Sequence, residues 1–126
     1  MAKKRIAIVG SRDFKRLDLV RAFVDSLPLD VVVVSGGARG VDRAAELRAA
    51  VRGIEVQSWP VTDEEWRSLG RRAGPMRNRE IIKDCDEVVA FWDGESRGTE
   101  GTINLAVAYG KPVRVFDEDG EMECGS

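Results

Sequence analysis

Val31-Val32-Val33-Val34-Ser35-Gly36-Gly37-Ala38-Arg39-Gly40-Val41-Asp42 is the stretch whose reading decides the fold. Four consecutive valines predict a central parallel strand covered on both faces, because a strand with one solvated face would alternate apolar and polar residues. The glycine-rich run that follows lets the backbone turn sharply and approach a ligand closely. A helix is predicted next, over 41–51, closed near Gly53. A strand, a glycine turn and a helix in this order form half of a βαβ unit.

The same grammar repeats on either side. Residues 5–9 are a short β-branched strand ending in Gly10-Ser11-Arg12. From Lys15 to Leu27, the residues Leu17, Val20, Phe23, Val24 and Leu27 recur at helical spacing until Pro28 stops the helix. Downstream, 54–59 reads as a third strand, and Thr62-Asp63-Glu64-Glu65 as a capping box opening a short helix with Trp66 and Leu69 on one face. After a break over 70–74, Pro75 sits where a helix favours its first residue, and that helix runs to about Asp84. A fourth strand over 87–92, a polar loop, a helix over 99–109 with Gly110 as its cap, and a fifth strand over 112–116 complete the pattern.

Alternating strands and helices predict an α/β fold: a Rossmann-like open parallel five-stranded sheet with helices on both faces. One domain over 1–116 is expected, with an acidic, frayed tail over 117–126. The chemically unusual loops follow strands one, two and four. Strand order 3-2-1-4-5 puts those three side by side, with the topological switch between strands one and four, where ligands bind in open α/β sheets. Order 2-1-3-4-5 would bring the unremarkable Trp59-Pro60-Val61 loop into the site, so the first order is favoured.

Composition narrows the chemistry. A net charge of −2 excludes a molecule that is cationic as a whole, so any anion site must be local. The chain has no histidine, which removes histidine triads, histidine bases and the usual zinc sites. Neither a metal nor a cofactor is expected. The two cysteines, Cys85 and Cys124, form no CxxC pair. Behind the basic start Met1–Arg5 the apolar run extends only from Ile6 to Val9, too short for a secretory signal or a membrane span. A cytoplasmic protein without membrane contact is predicted.

Three loops carry candidate chemistry. In the first, Gly10 allows close approach, Ser11 can donate to a phosphate oxygen and Arg12 can fork two oxygens. In the second, Ser35, Gly36 and Gly37 precede a helix whose free N–H groups and positive end favour an anion, with Asp42 in its first turn. This loop is neither a Walker loop nor GxGxxG, and an ordinary tight turn explains it equally well. In the third, Ser96-Arg97-Gly98-Thr99-Glu100-Gly101-Thr102 sets glycines and hydroxyls at a helix start, with N-capping by Ser96 or Thr99 as the structural alternative. Three such cradles on neighbouring strands point to a shared anionic group.

A fourth feature lies between Arg71 and Arg79, where there are four arginines and no acid. A solvated basic face is the usual reading of a charge run. However, Arg77 and Arg79 fall in the first turns of a helix, where positive charge opposes the dipole and an anion would relieve it. Asn78 shares a face with Ile81, Ile82 and Cys85, so it should be partly buried and hydrogen-bonded, most simply to a loop backbone. Of Trp59, Trp66 and Trp92, each able to stack on a base, Trp92 lies nearest the third cradle and is the preferred candidate. The helix over 99–109 is apolar nearly all round, so one face covers the sheet and the other is available to a partner copy. A homodimer or higher assembly is expected, with full burial of this helix inside the monomer as the alternative.

These motifs together resemble a known group. Ala7-Ile8-Val9-Gly10-Ser11-Arg12, Val33-Val34-Ser35-Gly36-Gly37-Ala38-Arg39-Gly40-Val41-Asp42, Met76-Arg77-Asn78-Arg79-Glu80-Ile81-Ile82 and Ser96–Thr102 are similar in kind and order to the SMF/DprA–LOG (SLOG) superfamily. Within it, the chain looks most like the small stand-alone proteins of the YspA/YpsA-related branch, many of them of unknown function. The resemblance covers roughly residues 5–116. It implies a nucleotide-binding domain that senses or processes a nucleotide-derived small molecule, with ADP-ribose among the proposals. The converging loops and the arginine-rich turn give the candidate ligand-binding residues as Gly10, Ser11, Arg12, Ser35, Gly36, Gly37, Asp42, Arg77, Asn78, Arg79, Ser96, Gly98, Thr99 and Thr102.

Two other branches imply different activities. The Lonely Guy branch removes the base from nucleoside monophosphates. Its catalytic arginine matches Arg77 and its PGGxGTxxE motif aligns around Gly98-Thr99, but its catalytic glutamate falls on Thr102. Glu100, on the same turn, is the candidate replacement, so the catalytic pair would be Arg77 and Glu100, with Asp42 as the alternative acid aiding the departing base. The DprA branch binds single-stranded DNA and a recombinase. Nucleic acid is a disfavoured partner here, because net acidity opposes a phosphate-driven grip.

Overall fold

The structure, a computed structural model, describes residues 3–122. Its elements in chain order are β1 (Lys4–Gly10), α1 (Leu17–Asp25), β2 (Val31–Ser35), α2 (Val41–Arg52), β3 (Glu55–Ser58), α3 (Asp63–Leu69), a 3-10 turn over Gly70–Arg72, α4 (Ala73–Asp84), β4 (Glu87–Phe91), α5 (Arg97–Ala108), β5 (Val113–Asp117) and β6 (Gly120–Glu121). The sheet order is β3-β2-β1-β4-β5-β6. The first five strands are parallel in the expected 3-2-1-4-5 order, with the switch between β1 and β4.

The valine run does what its composition dictates. Every residue of β2 is buried, because side chains alternate between two covered faces. Val31 and Val33, with Ile6, Ile8, Val89 and Phe91, meet Val20, Phe23 and Val24 of α1 and Val41, Ala45 and Ala49 of α2. Val32 and Val34, with Ala7, Val9, Val88 and Ala90, meet Ile81 and Ile82 of α4 and Ala106 of α5. Each fully buried valine contributes up to about 1.5–3 kcal/mol of hydrophobic stabilisation. The first core is closed by aromatics, Phe91 stacking on Phe116 at 4.8 Å and meeting Phe14 edge-on at 5.7 Å.

Local signals set the ends of the elements. The capping box at α3 is present, with Thr62 Oγ1 accepting from Glu65 N and Glu65 Oε1 accepting from Thr62 N. Gly53 closes α2 in the left-handed conformation, at φ 77°. The α1 C-terminus is satisfied from outside, by Arg52 Nη1 donating to the carbonyls of Val24 and Leu27. Cys85 is buried, and burial pushes its thiol up to about 11, so it is not a ready nucleophile.

Three expectations about element ends need correction. α4 begins at Ala73, not at Pro75, because a 3-10 turn winds directly into it. Pro75 still falls in the first turn, where a missing N–H breaks no helical bond. α5 begins at Arg97 rather than Thr99, since Ser96 is its N-cap. The segment expected to fray after 116 continues as β5 through Asp117 and returns as β6, pairing Asp117 with Gly120 and Phe116 with Glu121. Arg114 holds it, donating to both carboxylate oxygens of Glu121 at 2.8 and 2.9 Å. The rest of the expected tail, beyond Met122 and including Cys124, lies outside the described residues.

Candidate functional site

At the carboxyl ends of β1 and β4 the sheet opens into a cleft of about 720 Å³. That is ample for a nucleotide-sized ligand. The loop after β1 supplies Gly10, Ser11 and Arg12, the loop before α5 supplies Asp93 and Ser96, and the first turns of α5 supply Arg97, Gly98, Thr99 and Thr102. The second half of the wall is α4, with Gly74, Pro75, Arg77, Asn78 and Arg79, together with Trp66 from α3 and Asp42 from α2.

Hydroxyl groups stitch the β1 and β4 loops together. Ser11 is buried, and its Oγ accepts from Asp93 N at 3.2 Å and lies 3.4 Å from Thr99 Oγ1. Ser96 Oγ in turn lies 3.3 Å from Thr99 Oγ1 and accepts from Thr99 N at 3.4 Å. Thr102 Oγ1 donates to Gly98 O at 3.0 Å. Asp93 Oδ1 accepts from Glu95 N and Ser96 N, and these two N–H groups hold its carboxyl below the usual range. The loop is therefore fixed by its own chain. The amide of Thr99 is engaged by its cap, and no chain acceptor engages the N–H groups of Arg97 and Gly98 among the described residues.

Ser35, Gly36 and Gly37 do not line the cleft. They hold the residues that do. Gly37 N donates to Ser35 Oγ, and Ala38 N donates to Asp42 Oδ2 at 3.2 Å. Arg77 Nη1 donates to Gly36 O and, at 3.3 Å, to Trp59 O, while its Nε donates to Asn78 Oδ1 at 2.8 Å. Asn78 thus finds its partner in the Arg77 guanidinium rather than in a loop backbone, and through it the arginine is oriented. Gly10 has a packing role in addition to its place in the wall. A Cβ there would fall 2.7 Å from both Phe91 O and Val41 Cβ. Gly40, at φ 83°, lets the second loop touch the first, since a Cβ there would lie 2.5 Å from Arg12 O.

Gly98 and Gly101 differ from these. Both have ordinary backbone angles, and a Cβ at either would meet nothing within 4 Å. Packing asks for neither glycine, and each weakens its helix by about 0.5–1 kcal/mol relative to alanine. Their effect is to keep the cleft wall at α5 bare.

The electrostatics follow from burial. Asp42 is only 6 % exposed, and desolvation raises its pKa to about 6 despite the N–H of Ala38 and the nearby Arg77. Burial also draws Arg77 below the usual arginine value, with Asp42 opposing and Arg12 adding to the shift. Among the described residues, no carboxylate lies within ion-pair distance of the cleft arginines Arg12, Arg77, Arg79 and Arg97; outside the cleft Arg5, Arg16, Arg48, Arg52 and Arg114 are paired and Arg21, Arg39, Arg43, Arg67, Arg71 and Arg72 are not, so what sets the four apart is that they share one wall. Four acids, Asp13, Asp42, Asp93 and Glu95, share the wall, but Asp42 and Asp93 already accept main-chain N–H groups. The cleft therefore has donors to spare.

Two sequence candidates lie elsewhere. Glu100 is exposed and is not part of the cleft wall. Trp92 turns its Nε1 to Ser96 O at 2.9 Å and does not line the cleft. Trp66, which the sequence placed with Leu69 on one face of a short helix, is the tryptophan that does. Only the path of the chain from β3 through α3 to α4 brings it there, and no local signal marks it.

The fold and this cleft define an open, doubly wound α/β domain with a donor-rich pocket at its switch point. The chain belongs to the YspA, cpYpsA-related SLOG family, whose sequence profile matches residues 4–62. It is 36% identical over 124 residues to the Gene 61 protein of Mycobacterium phage D29, covering 91% of this chain and 98% of that one. In fold it is similar to DNA processing protein A (DprA) from Streptococcus pneumoniae, with a TM-score of 0.76 and 24% identity. It is also similar to DNA processing protein A from Helicobacter pylori, described for its single-stranded DNA binding mode, with a TM-score of 0.70 and 22% identity. Both likenesses cover 91% of this chain, which spans 50% of the first protein and 66% of the second. No helix among the described residues is long and apolar enough to cross a membrane.

Proposed function

We propose that the cleft binds a phosphate-bearing nucleotide or nucleotide derivative, of which ADP-ribose is an example, as a sensor or processing module. The observation that carries this reading is the set of four cleft arginines without carboxylate partners, set against the bare, amide-presenting start of α5. Charge-assisted N–H bonds to phosphate are among the strongest that a protein makes. Arg77 is held ready by Gly36 O and Asn78, so little side-chain entropy is lost when an anion docks. The mixture of arginines with acids suits a compact ligand carrying both phosphate and sugar hydroxyls. A long phosphate backbone would meet Asp13 and Glu95 as like charges.

The test is a thermal-shift series with AMP, ADP-ribose, NAD and cyclic nucleotides. A ligand at a hundredfold excess over its dissociation constant adds about 2.7 kcal/mol to folding stability, a shift of several degrees for a chain of this size. Silence from every compound at millimolar concentration rejects the reading. A labelled oligonucleotide, tested beside them at physiological salt, separates a small-molecule site from a single-stranded DNA site.

A second reading is favoured by Asp42, a cleft carboxyl titrating near 6 within the field of Arg77. In an N-glycosidic hydrolase, Arg77 would hold the 5′-phosphate and Asp42 would give its proton to the departing base as the C1′–N bond breaks, while water forms the new C1′–O bond and its released proton restores Asp42. Asp42 suits that role better than the exposed Glu100. Incubation with nucleoside monophosphates and chromatography for free base decides it, and the absence of base leaves binding alone.

A further inference from the structure

Two of the three indoles in this chain are tied down by hydrogen bonds. Trp59 Nε1 donates to Asp84 Oδ2 at 3.0 Å, and Trp92 Nε1 donates to Ser96 O at 2.9 Å. Trp66 differs on each count. Among the described residues its N–H has no partner, it is 42 % exposed, and it lines the cleft. It rides on α3, a helix that buries no residue fully, and the ring keeps a large face open to the cleft. The reciprocal bonds between Thr62 and Glu65 nevertheless fix the start of the helix. The ring lies beside Gly74 of α4, where a Cβ would make an ordinary van der Waals contact with Cη2 of the indole at 3.8 Å. A large aromatic surface with an unpartnered N–H is thus held, partly open, in the wall of a polar cleft.

We propose that Trp66 is the base platform of this site. The ligand is a nucleotide whose aromatic base lies on the Trp66 ring while its phosphate is held by Arg12, Arg77 and the start of α5. The inference rests on the nucleotide-binding reading above and narrows its ligand class, because sugar phosphates and inorganic phosphate lack the stacking surface. Stacking tolerates any base, since every base has a π-face. Purines, with the larger ring area, rank above pyrimidines.

The experiment measures the affinity of AMP and of ribose 5-phosphate for the wild-type chain and for Trp66→Ala and Trp66→Phe, by calorimetry. Expected are tighter binding of AMP than of ribose 5-phosphate to wild type, and about a tenfold loss of AMP affinity in Trp66→Ala. Ribose 5-phosphate affinity should be unchanged, and Trp66→Phe should restore most of the loss. Tryptophan emission of the wild-type chain should be quenched by AMP and not by ribose 5-phosphate, a readout that does not depend on any variant folding. If both compounds bind wild type equally and AMP leaves the emission unchanged, the platform is wrong while the phosphate site stands. If neither compound binds wild type, the same emission and Trp66→Ala comparison is made with whichever of ADP-ribose, NAD or a cyclic nucleotide shifts the melting temperature, unchanged emission and affinity again overturning the platform; if none of them binds, both readings fall together.

Discussion

Arg77 and Asp42 close on the α-carbon of Gly36 from two elements, so that a Cβ built there would lie 2.6 Å from Arg77 Nη1 and 2.9 Å from Asp42 Oδ2. The half-buried cation and the buried carboxyl of the cleft are therefore spaced by a residue that does not itself line it. A second-loop glycine that reads as a ligand contact acts through the arginine it admits.

Gly36→Ala should therefore weaken both folding and binding. The new methyl cannot coexist with the guanidinium in place, and overpacking of this kind costs about 1–3 kcal/mol. The expected result is a lowered melting temperature together with loss of the nucleotide-induced shift. A variant that melts normally and still responds to ligand would show that Arg77 has another stable position.

Gly98→Ala and Gly101→Ala should do the opposite to stability. Space is open around both, and alanine favours a helix by about 0.5–1 kcal/mol over glycine. Denaturant melts should show each variant slightly more stable than wild type, with weaker nucleotide binding because the methyl stands in the cleft. Unchanged affinity would mean that the ligand does not approach this turn.

Asp42 makes stability pH-dependent in a direction opposite to that of most carboxylates. Its pKa is about 6 in the folded chain and 3.8 by the ordinary aspartate value. The unfolded chain thus loses its proton first, and folding stability falls as pH rises from about 4 through about 6. The full difference is on the order of 3 kcal/mol. Asp42→Asn keeps an acceptor for Ala38 N without the charge. It should be more stable than wild type at pH 7.5, and the gap should close toward pH 4. Parallel stability profiles for the two proteins would contradict the buried-carboxyl account.

Arg12, Arg79 and Arg97 make no ion pair among the described residues and are exposed, so their removal should spare the fold. Surface substitutions of this kind stay within about 0.5 kcal/mol. Alanine at Arg12 or Arg97 should reduce AMP affinity about tenfold, the usual scale for a lost charged hydrogen bond. The loss should shrink at high salt as exposed charges are screened. Wild-type AMP affinity in both variants would move the phosphate away from this face.

Much of this was legible from residue order alone, because secondary structure and sheet topology follow from local patterns. Four valines in a row require two covered faces, Thr62 and Glu65 announce a helix start, and glycine turns after strands one, two and four select the 3-2-1-4-5 order. Even the hairpin at 117–121 has its turn glycine and its Arg114–Glu121 complement written in the chain, although the density of acids there reads as a tail. What only the tertiary structure decided is which side of each loop faces the ligand. Ser35, Gly36 and Gly37 support Arg77 instead of lining the cleft, Glu100 points its helix position to solvent, and Trp66 takes the place that proximity in sequence suggested for Trp92. Spacing along one element fixes which residues share a face. The rotation of that face toward the others is set by packing between elements far apart in the chain, here α4 against β1, β2 and α5 with α3 carried beside it, and no single segment encodes it.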